Sequence, residues 1–98
     1  MPNDVGITVL IPPPLRRFTG GEAKVVVAGS SVAEVLDALD GAHPGIGERL
    51  RDDSGQIRRF VNVFVNGQNV RDGEGLDTRL SIGDEVGIIP AMAGGASA

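Results

Sequence analysis

The sequence contains no cysteine, which excludes disulfide bonds, thiolate metal ligands and a cysteine nucleophile. Its single histidine, His43, would have to serve in any serine–histidine catalytic pair. The three aromatic residues, Phe18, Phe60 and Phe64, are too few for a platform on which nucleic-acid bases could stack. The formal net charge of −4 also argues against a nucleic-acid partner, because nucleic acids bind basic surfaces.

Membrane and export signals are also missing from the sequence. No apolar run approaches the ~20 residues that a membrane-spanning helix needs, and the first residues lack the basic and apolar segments of an export signal. We therefore expect a cytoplasmic protein without a membrane partner. With 98 residues, 41% of them hydrophobic, the composition predicts one small domain that is too short to enclose a deep pocket.

The sequence begins with the pattern of a strand hairpin. Residues 5–11 alternate between apolar and other side chains, which is the period of a half-buried strand, and the prolines at 12–14 end it. Residues 23–27 predict a second strand, which follows a turn at Gly20-Gly21 and pairs with the first.

A helix follows this hairpin. Ser31 and Glu34 have the spacing of a capping box, in which a serine hydroxyl and a glutamate three residues later bind the first backbone N–H groups. Apolar residues then recur at helical spacing, which predicts a helix over residues 32–40 with Gly41 as its C-terminal stop. The apolar stripe consists of Val32, Val35, Leu36 and Leu39.

The second half of the sequence predicts a second hairpin. Residues 42–57 are polar and contain glycine, with a helical turn around residues 46–50. Residues 58–65 give the clearest strand pattern in the chain. Asn66-Gly67 comes directly after this strand and is a strong signal for a tight hairpin turn.

The remaining elements complete the predicted fold. Residues 69–71 form the return strand, Gly83-Asp84 makes a turn, and residues 85–89 form a last strand closed by Pro90. Two hairpins that flank one helix predict an α+β fold of the β-grasp type. We expect a mixed sheet of four to five strands with one main helix across it and the first and last strands side by side in the centre.

The chain divides into a β-grasp domain at residues 1–93 and a tail at residues 94–98, which we expect to be mobile because its side chains are small. The tail contains Gly94-Gly95. A glycine pair alone is uninformative, because a chain with 15 glycines contains about two such pairs by chance. The position of this pair is informative, since two residues without Cβ atoms just beyond a terminal strand can enter a narrow channel of another protein.

Conventional sites are weakly supported by the sequence. His43 has no evident nucleophile nearby, and we interpret it as a solvated loop residue. The adjacent carboxylates Asp52 and Asp53 point in different directions and belong to a polar loop rather than to a metal site. Arg58 and Arg59 could bind phosphate, but such a pair at the start of a strand is usually solvated. The sequence therefore offers no catalytic side chain and no metal ligand set.

Several segments in the second half form one combined pattern: RFVNVFVNG at 59–67, Val70-Arg71, GLDT at 75–78, GDEV at 83–86, IIPA at 88–91 and AGG at 93–95. With this pattern the chain resembles the MoaD/ThiS family of ubiquitin-like sulfur carriers. The resemblance extends over essentially the whole chain. Residues 7–21 (ITVLIPPPLRRFTGG) and the long loop before Arg59 look most like the carriers that serve cysteine biosynthesis.

The resemblance implies a mechanism centred on Gly95 and Gly94. An E1-like adenylating enzyme uses ATP to activate the terminal glycine carboxylate, and a sulfur donor converts it to a thiocarboxylate. In the cysteine branch this sulfur attacks an aminoacrylate on the pyridoxal phosphate of a cysteine synthase, and a JAMM-type zinc protease releases the product. The carrier itself is not an enzyme and binds no cofactor, since ATP, pyridoxal phosphate and zinc belong to its partners.

The sequence departs from the family at one point, because Ala96, Ser97 and Ala98 follow Gly95. The Gly95 carboxyl group is therefore in a peptide bond and cannot be adenylated in this form. The extension could be trimmed by a protease, be an artefact of cloning, or mark an inactive copy. We favour trimming between Gly95 and Ala96, as the resemblance implies for carriers made as precursors.

A docking surface is expected on the open face of the sheet. The uniform apolar set on the third strand should face the helix, which places Phe60 and Phe64 on the opposite face together with Ile89 of the last strand. With Met92 beside them after the last strand, these side chains would form an exposed apolar patch. The alternative is that residues 42–57 cover Phe60 or Phe64. The inward set comprises Val61, Val63, Val65, Val86 and Ile88.

Two other functions would share this fold. A ubiquitin-like modifier would be activated in the same way but would be attached to lysines of other proteins. A β-grasp interaction module with an incidental glycine pair would need no activation and would tolerate deletion of residues 94–98. Within the sulfur-carrier interpretation, we favour cysteine as the destination of the sulfur over molybdopterin or thiamine.

Overall fold

A computed structural model describes residues 6–90, which form a five-stranded mixed sheet with a helix across one face. The strands are β1 (Ile7–Leu10), β2 (Lys24–Val27), β3 (Val61–Val65), β4 (Gln68–Asn69) and β5 (Glu85–Pro90). They lie in the order β2-β1-β5-β3-β4, with β1 and β5 parallel at the centre and the other neighbours antiparallel. The predicted β-grasp fold is confirmed.

Both predicted hairpin turns are present. Asn66 and Gly67 join β3 to β4 with φ angles of 50° and 88°, so both residues adopt the left-handed conformation that a two-residue hairpin turn requires. The first hairpin is longer, because a 3-10 helix (Pro13–Thr19) follows β1 before the turn at Gly20-Gly21. This 3-10 helix was not predicted from the sequence.

The main helix, α1 (Val32–Ala42), begins as predicted. The backbone N–H of Glu34 donates to the Ser31 hydroxyl over 3.2 Å. The Glu34 carboxylate accepts from the N–H and the hydroxyl of Ser30, at 2.8 and 2.9 Å, so the reciprocal bond of the capping box falls one residue earlier than in the usual motif. These bonds, the backbone one foremost, lower the pKa of Glu34.

The predicted stop at Gly41 is wrong, because α1 continues through Ala42 and ends at His43. The N–H of His43 donates to the Leu39 carbonyl over 2.8 Å and closes the last turn. One glycine inside a helix costs only about 1 kcal/mol relative to alanine. The burial of the apolar stripe, which includes the fully buried Leu39, offsets this cost.

The helical turn predicted within residues 42–57 is confirmed as α2 (Ile46–Leu50). The Asp40 carboxylate accepts from the N–H groups of Gly45 and Gly47, at 3.2 and 2.8 Å, and so caps this short helix. Ile46 and Leu50 are fully buried. Residues 42–57 therefore connect α1 to β3 and also contribute two side chains to the core.

The core lies between the helices and one face of the sheet. The strands alternate between side chains that face the core and side chains that face away from it, as their period of two requires. The buried set includes Ile7, Val9, Val27, Val32, Val35, Leu36, Leu39, Val61, Val63, Val86 and Ile88. In the part of the chain that the structure describes, no helix is both long and apolar enough to cross a membrane.

Several strand bounds differ from the prediction, and the largest difference is at the start of β3. β3 begins at Val61 rather than at residue 58, because the N–H of Val61 donates to the Arg58 carbonyl over 3.0 Å in a turn. The Arg71 guanidinium stabilises this turn by donating to the carbonyls of Arg58 and Val61, at 2.5 and 2.6 Å. The return strand was predicted at residues 69–71, but β4 ends at Asn69. The Asn69 side chain accepts from the N–H of Arg71 and starts a 3-10 turn there.

Asp84 ties the β3–β4 turn to the start of β5. Its carboxylate accepts from the N–H of Ser81 over 2.8 Å and from the side-chain amide of Asn66 over 3.1 Å. These bonds, with the Ser81 N–H as the largest cause, lower the pKa of Asp84. The Asn66 side chain in turn accepts from the N–H of Glu85, which fixes the end of the sheet opposite Pro90.

Candidate functional site

The described chain reaches Pro90 at the end of β5, where Pro90 pairs with Val61 at the start of β3. Because β1 and β5 are parallel, the carboxyl end of β1 lies at the same end of the sheet as Pro90, and we call this end the Pro90 edge. The predicted site residues Gly94 and Gly95, the processing residue Ala96 and the docking residue Met92 lie outside the described residues.

The prediction of which β3 and β5 side chains point towards the helix is confirmed. Val61 and Val63 are buried on the helix side, as are Val86 and Ile88 of β5, and Val65 is partly buried against the same core. Phe60 and Ile89 are 53% and 52% exposed, and Phe64 is half-buried. The residues Phe60, Phe64 and Ile89 form what we call the docking patch.

The alternative that residues 42–57 cover the patch fails for Phe60, which is exposed. The reason is that this segment turns to the other side of the sheet, where Ile46 and Leu50 are buried in the core. Ile89 is left to the solvent on the open face, and Phe60 lies in the turn before β3, where it lines a cleft together with Arg49 of α2.

A groove adjoins the docking patch because β5 carries a glycine at its centre. Gly87 lies between Leu10 of β1 and Phe64 of β3 in the sheet register. Apart from Gly87 and its two neighbours in the chain, no residue has an atom within 4 Å of the place where a Gly87 Cβ would be, so this point of the face is open. The resulting groove has a volume of about 460 Å³, and its lining includes Leu10, Pro12, Pro13, Gly87, Ile89 and Pro90. It can receive an apolar side chain of a partner.

The other residues considered from the sequence have local structural roles. His43 ends α1. Asp52 accepts from the N–H and the hydroxyl of Ser54, at 2.9 and 2.6 Å; the hydroxyl bond is the largest of the causes that lower the pKa of Asp52. Arg58 donates to the Glu48 carbonyl over 2.8 Å. Within residues 6–90, no group of three or more histidine, aspartate or glutamate side chains is placed to hold a metal ion.

Two arginines near Pro90 were not predicted from the sequence as site residues. Arg17 of the 3-10 helix and Arg49 of α2 both lie against the Phe18 ring, with their Cζ atoms 5.0 and 5.8 Å from its centroid. Both also line a cleft of about 190 Å³ at the edge of the sheet beside Pro90. Proline at the first positions of a helix was the available signal for this element, but its relation to Arg49 arises only from the tertiary fold.

Comparison with known proteins identifies the family. The family model described as "ThiS family" matches residues 9–95, so the match includes Gly94-Gly95 and ends before Ala96. The sulfur carrier protein CysO of Mycobacterium tuberculosis is 44% identical over 93 residues, which are 93% of this chain and 100% of the relative.

Solved structures and archaeal relatives agree with this result. A chain in the crystal structure of the Amycolatopsis orientalis BexX/CysO complex matches with a TM-score of 0.85 and 41% identity, over 88% of this chain and 96% of that chain. Small archaeal modifier protein 3 of Haloferax volcanii is 38% identical over 66 residues, which are 67% of this chain and 71% of the relative. The sequence resemblance is thereby confirmed, and the chain belongs to the ThiS family of β-grasp proteins.

Proposed function

We propose that this chain is a sulfur carrier protein of the cytoplasm, whose Gly95 carboxyl group carries the sulfur. The observation that supports this most is the family match, which extends through Gly94-Gly95. The carrier is a protein substrate of other enzymes and contributes no catalytic side chain. Its similarity to CysO proteins favours a role in cysteine biosynthesis.

The proposed chemistry takes place on the backbone. The carboxylate of Gly95 attacks ATP in the active site of an E1-like adenylating enzyme, which forms an acyl adenylate and releases pyrophosphate. A sulfur donor then displaces AMP and leaves a thiocarboxylate. Because Gly95 is joined to Ala96, cleavage of that bond by a JAMM-type zinc protease precedes activation. A cysteine synthase with pyridoxal phosphate receives the sulfur.

The described domain supplies the recognition surface for these partners. The docking patch and the groove beside Gly87 lie at the edge that ends at Pro90. Gly95 follows Pro90 by five residues, a reach of at most about 17 Å. An enzyme that holds the Gly95 carboxylate must therefore lie close to this edge, where exposed apolar side chains offer it a contact.

The experiment that tests this proposal is ATP–pyrophosphate exchange by the adenylating enzyme from the same genome. A chain that ends at Gly95 should support exchange, and the full chain should not, because its Gly95 carboxyl is an amide. Equal exchange with both forms, or none with either, would contradict the proposal.

A second candidate function is a protein modifier, which the similarity to small archaeal modifier protein 3 favours. Activation is the same for both functions, so the product discriminates between them. A carrier accumulates as a thiocarboxylate, whereas a modifier forms amide bonds between Gly95 and lysine side chains of other proteins. Mass spectrometry of the chain recovered from its native cells would show which product is formed.

A further inference from the structure

A small apolar cleft lies beside Pro90 on the helix side of the sheet, next to the docking patch. Its volume is about 190 Å³. The 3-10 helix, the start of β3 and the end of β5 form its walls, and Phe60 belongs both to the cleft and to the docking patch. The apolar lining consists of Pro14, Leu15, Phe60, Val61, Ile88 and Pro90.

Two guanidinium groups stand at the rim of this cleft. Arg17 and Arg49 are exposed, and their Cζ atoms lie 5.0 and 5.8 Å from the centroid of the Phe18 ring. Contact with an aromatic face restrains both side chains, which reduces the entropy that they lose when they bind a ligand.

Neither guanidinium has a carboxylate partner within residues 6–90, where the one ion pair joins Arg51 to Asp37. The chain as a whole has a net charge of −4. The two restrained arginines therefore form a local positive charge on a molecule whose net charge is negative. Such a pair around an apolar cleft is complementary to an apolar side chain flanked by carboxylates.

We infer that this cleft is a second contact for the E1-like adenylating enzyme, which inserts an apolar side chain and places carboxylates against Arg17 and Arg49. The inference rests on the proposed function and extends it to the chemistry of that partner's surface. The short reach from Pro90 to Gly95 supports this choice, because an enzyme that holds Gly95 also faces the strand end that lies between the docking patch and the cleft.

The test is the association rate of the full chain with the adenylating enzyme, measured by surface plasmon resonance from about 50 mM to about 500 mM salt. The variant with both Arg17→Gln and Arg49→Gln should associate about tenfold more slowly at low salt and lose most of the salt dependence, as expected when rim charges are removed. Arg79→Gln is the matched control, because exposed Arg79 lines a different depression. It should change the rate by less than about twofold.

Several results would overturn the inference. One is an unchanged rate in the double variant, and another is an equal loss in the Arg79→Gln control. Movement of the Leu15 and Ile88 methyl resonances on deletion of residues 91–98 would mean that the chain's own terminus occupies the cleft. Self-association that the double variant abolishes would mean that a second copy does.

Failure of the inference can be distinguished from failure of the proposed function. If the chain that ends at Gly95 supports pyrophosphate exchange and the double variant binds like wild type, only the contact at the cleft is wrong. If the adenylating enzyme neither binds the chain nor activates it, both proposals are wrong.

Discussion

Two single alanine substitutions at adjacent residues of β3 should distinguish a side chain that binds a partner from one that packs in the core. Val63 is fully buried on the helix side, whereas Phe64 is half-buried on the open face. Because their side chains lie on opposite faces of one strand, the two variants alter almost the same point of the backbone but different surfaces. Val63→Ala is thus the matched control for Phe64→Ala.

The structure sets the expected losses of stability. Val63→Ala removes about two buried methylene equivalents, at ~0.8 kcal/mol each, and leaves a cavity, so the free energy of unfolding should fall by about 2–3 kcal/mol. Phe64→Ala removes a half-buried ring and leaves no enclosed cavity, which should cost about 1 kcal/mol. Since 1 kcal/mol shifts Tm by about 4–8 °C in a domain of this size, thermal unfolding followed by circular dichroism resolves the two values.

Binding to the adenylating enzyme should follow the opposite order. In calorimetric titrations well below both transitions, Phe64→Ala should raise Kd by about 5-fold to 150-fold, which corresponds to ~1–3 kcal/mol. Val63→Ala should stay within about twofold of wild type, because its side chain does not reach the open face. The reasoning is refuted if Phe64→Ala destabilises the domain more than Val63→Ala does and leaves Kd unchanged.

Three further predictions concern residues outside this pair. In a chain that ends at Gly95, Gly95→Val should abolish pyrophosphate exchange, because a β-branched residue is too wide for a narrow channel; a lowered Tm in this variant would contradict that explanation. Arg71→Lys should weaken binding of the adenylating enzyme in titrations and lower Tm, because a single ammonium cannot reproduce the guanidinium bonds that hold the turn before Val61; wild-type values would show that this turn needs no such support. The pKa of Asp84 is lowered in the fold, so its contribution to stability is present above the ordinary value of about 3.9 and is lost as the pH falls through the lower folded value. Urea unfolding across this range should show a weaker pH dependence for Asp84→Asn, and an unchanged dependence would exclude this role.

The faces of the strands could be predicted from the sequence because the period of two is a local property. Val61, Val63 and Val65 alternate with Phe60 and Phe64 whatever the rest of the chain does, and burial of the uniform apolar set then determines the open face. The hairpin turn at Asn66-Gly67 could also be predicted from the sequence, because few residues adopt the left-handed conformation that this turn requires.

The ends of elements were less predictable, because tertiary bonds determine them. β3 begins at Val61 since the Arg71 side chain, from beyond the next hairpin turn, binds the carbonyls of the preceding turn. Helix α1 passes Gly41 because its packing outweighs the weak local preference of one glycine.

The cleft beside Pro90 had no signal in the sequence. Arg17 and Arg49 are separated by most of a hairpin and by α1, and only the fold brings both against Phe18. Periodicity and short motifs detect residues that are close in sequence, so a site assembled from a 3-10 helix, a short α-helix and two strand ends lies beyond their reach.

The most direct test of the central claim is the intact mass of the chain after incubation with the adenylating enzyme, ATP and a sulfur donor. The form that ends at Gly95 should gain about 16 mass units, because one carboxyl oxygen is replaced by sulfur at the activated acyl group. The full chain, in which Ala96 blocks the carboxyl, should keep its mass. An unchanged mass of the form that ends at Gly95, or the same gain in both forms, would contradict the assignment of Gly95 as the sulfur-carrying residue.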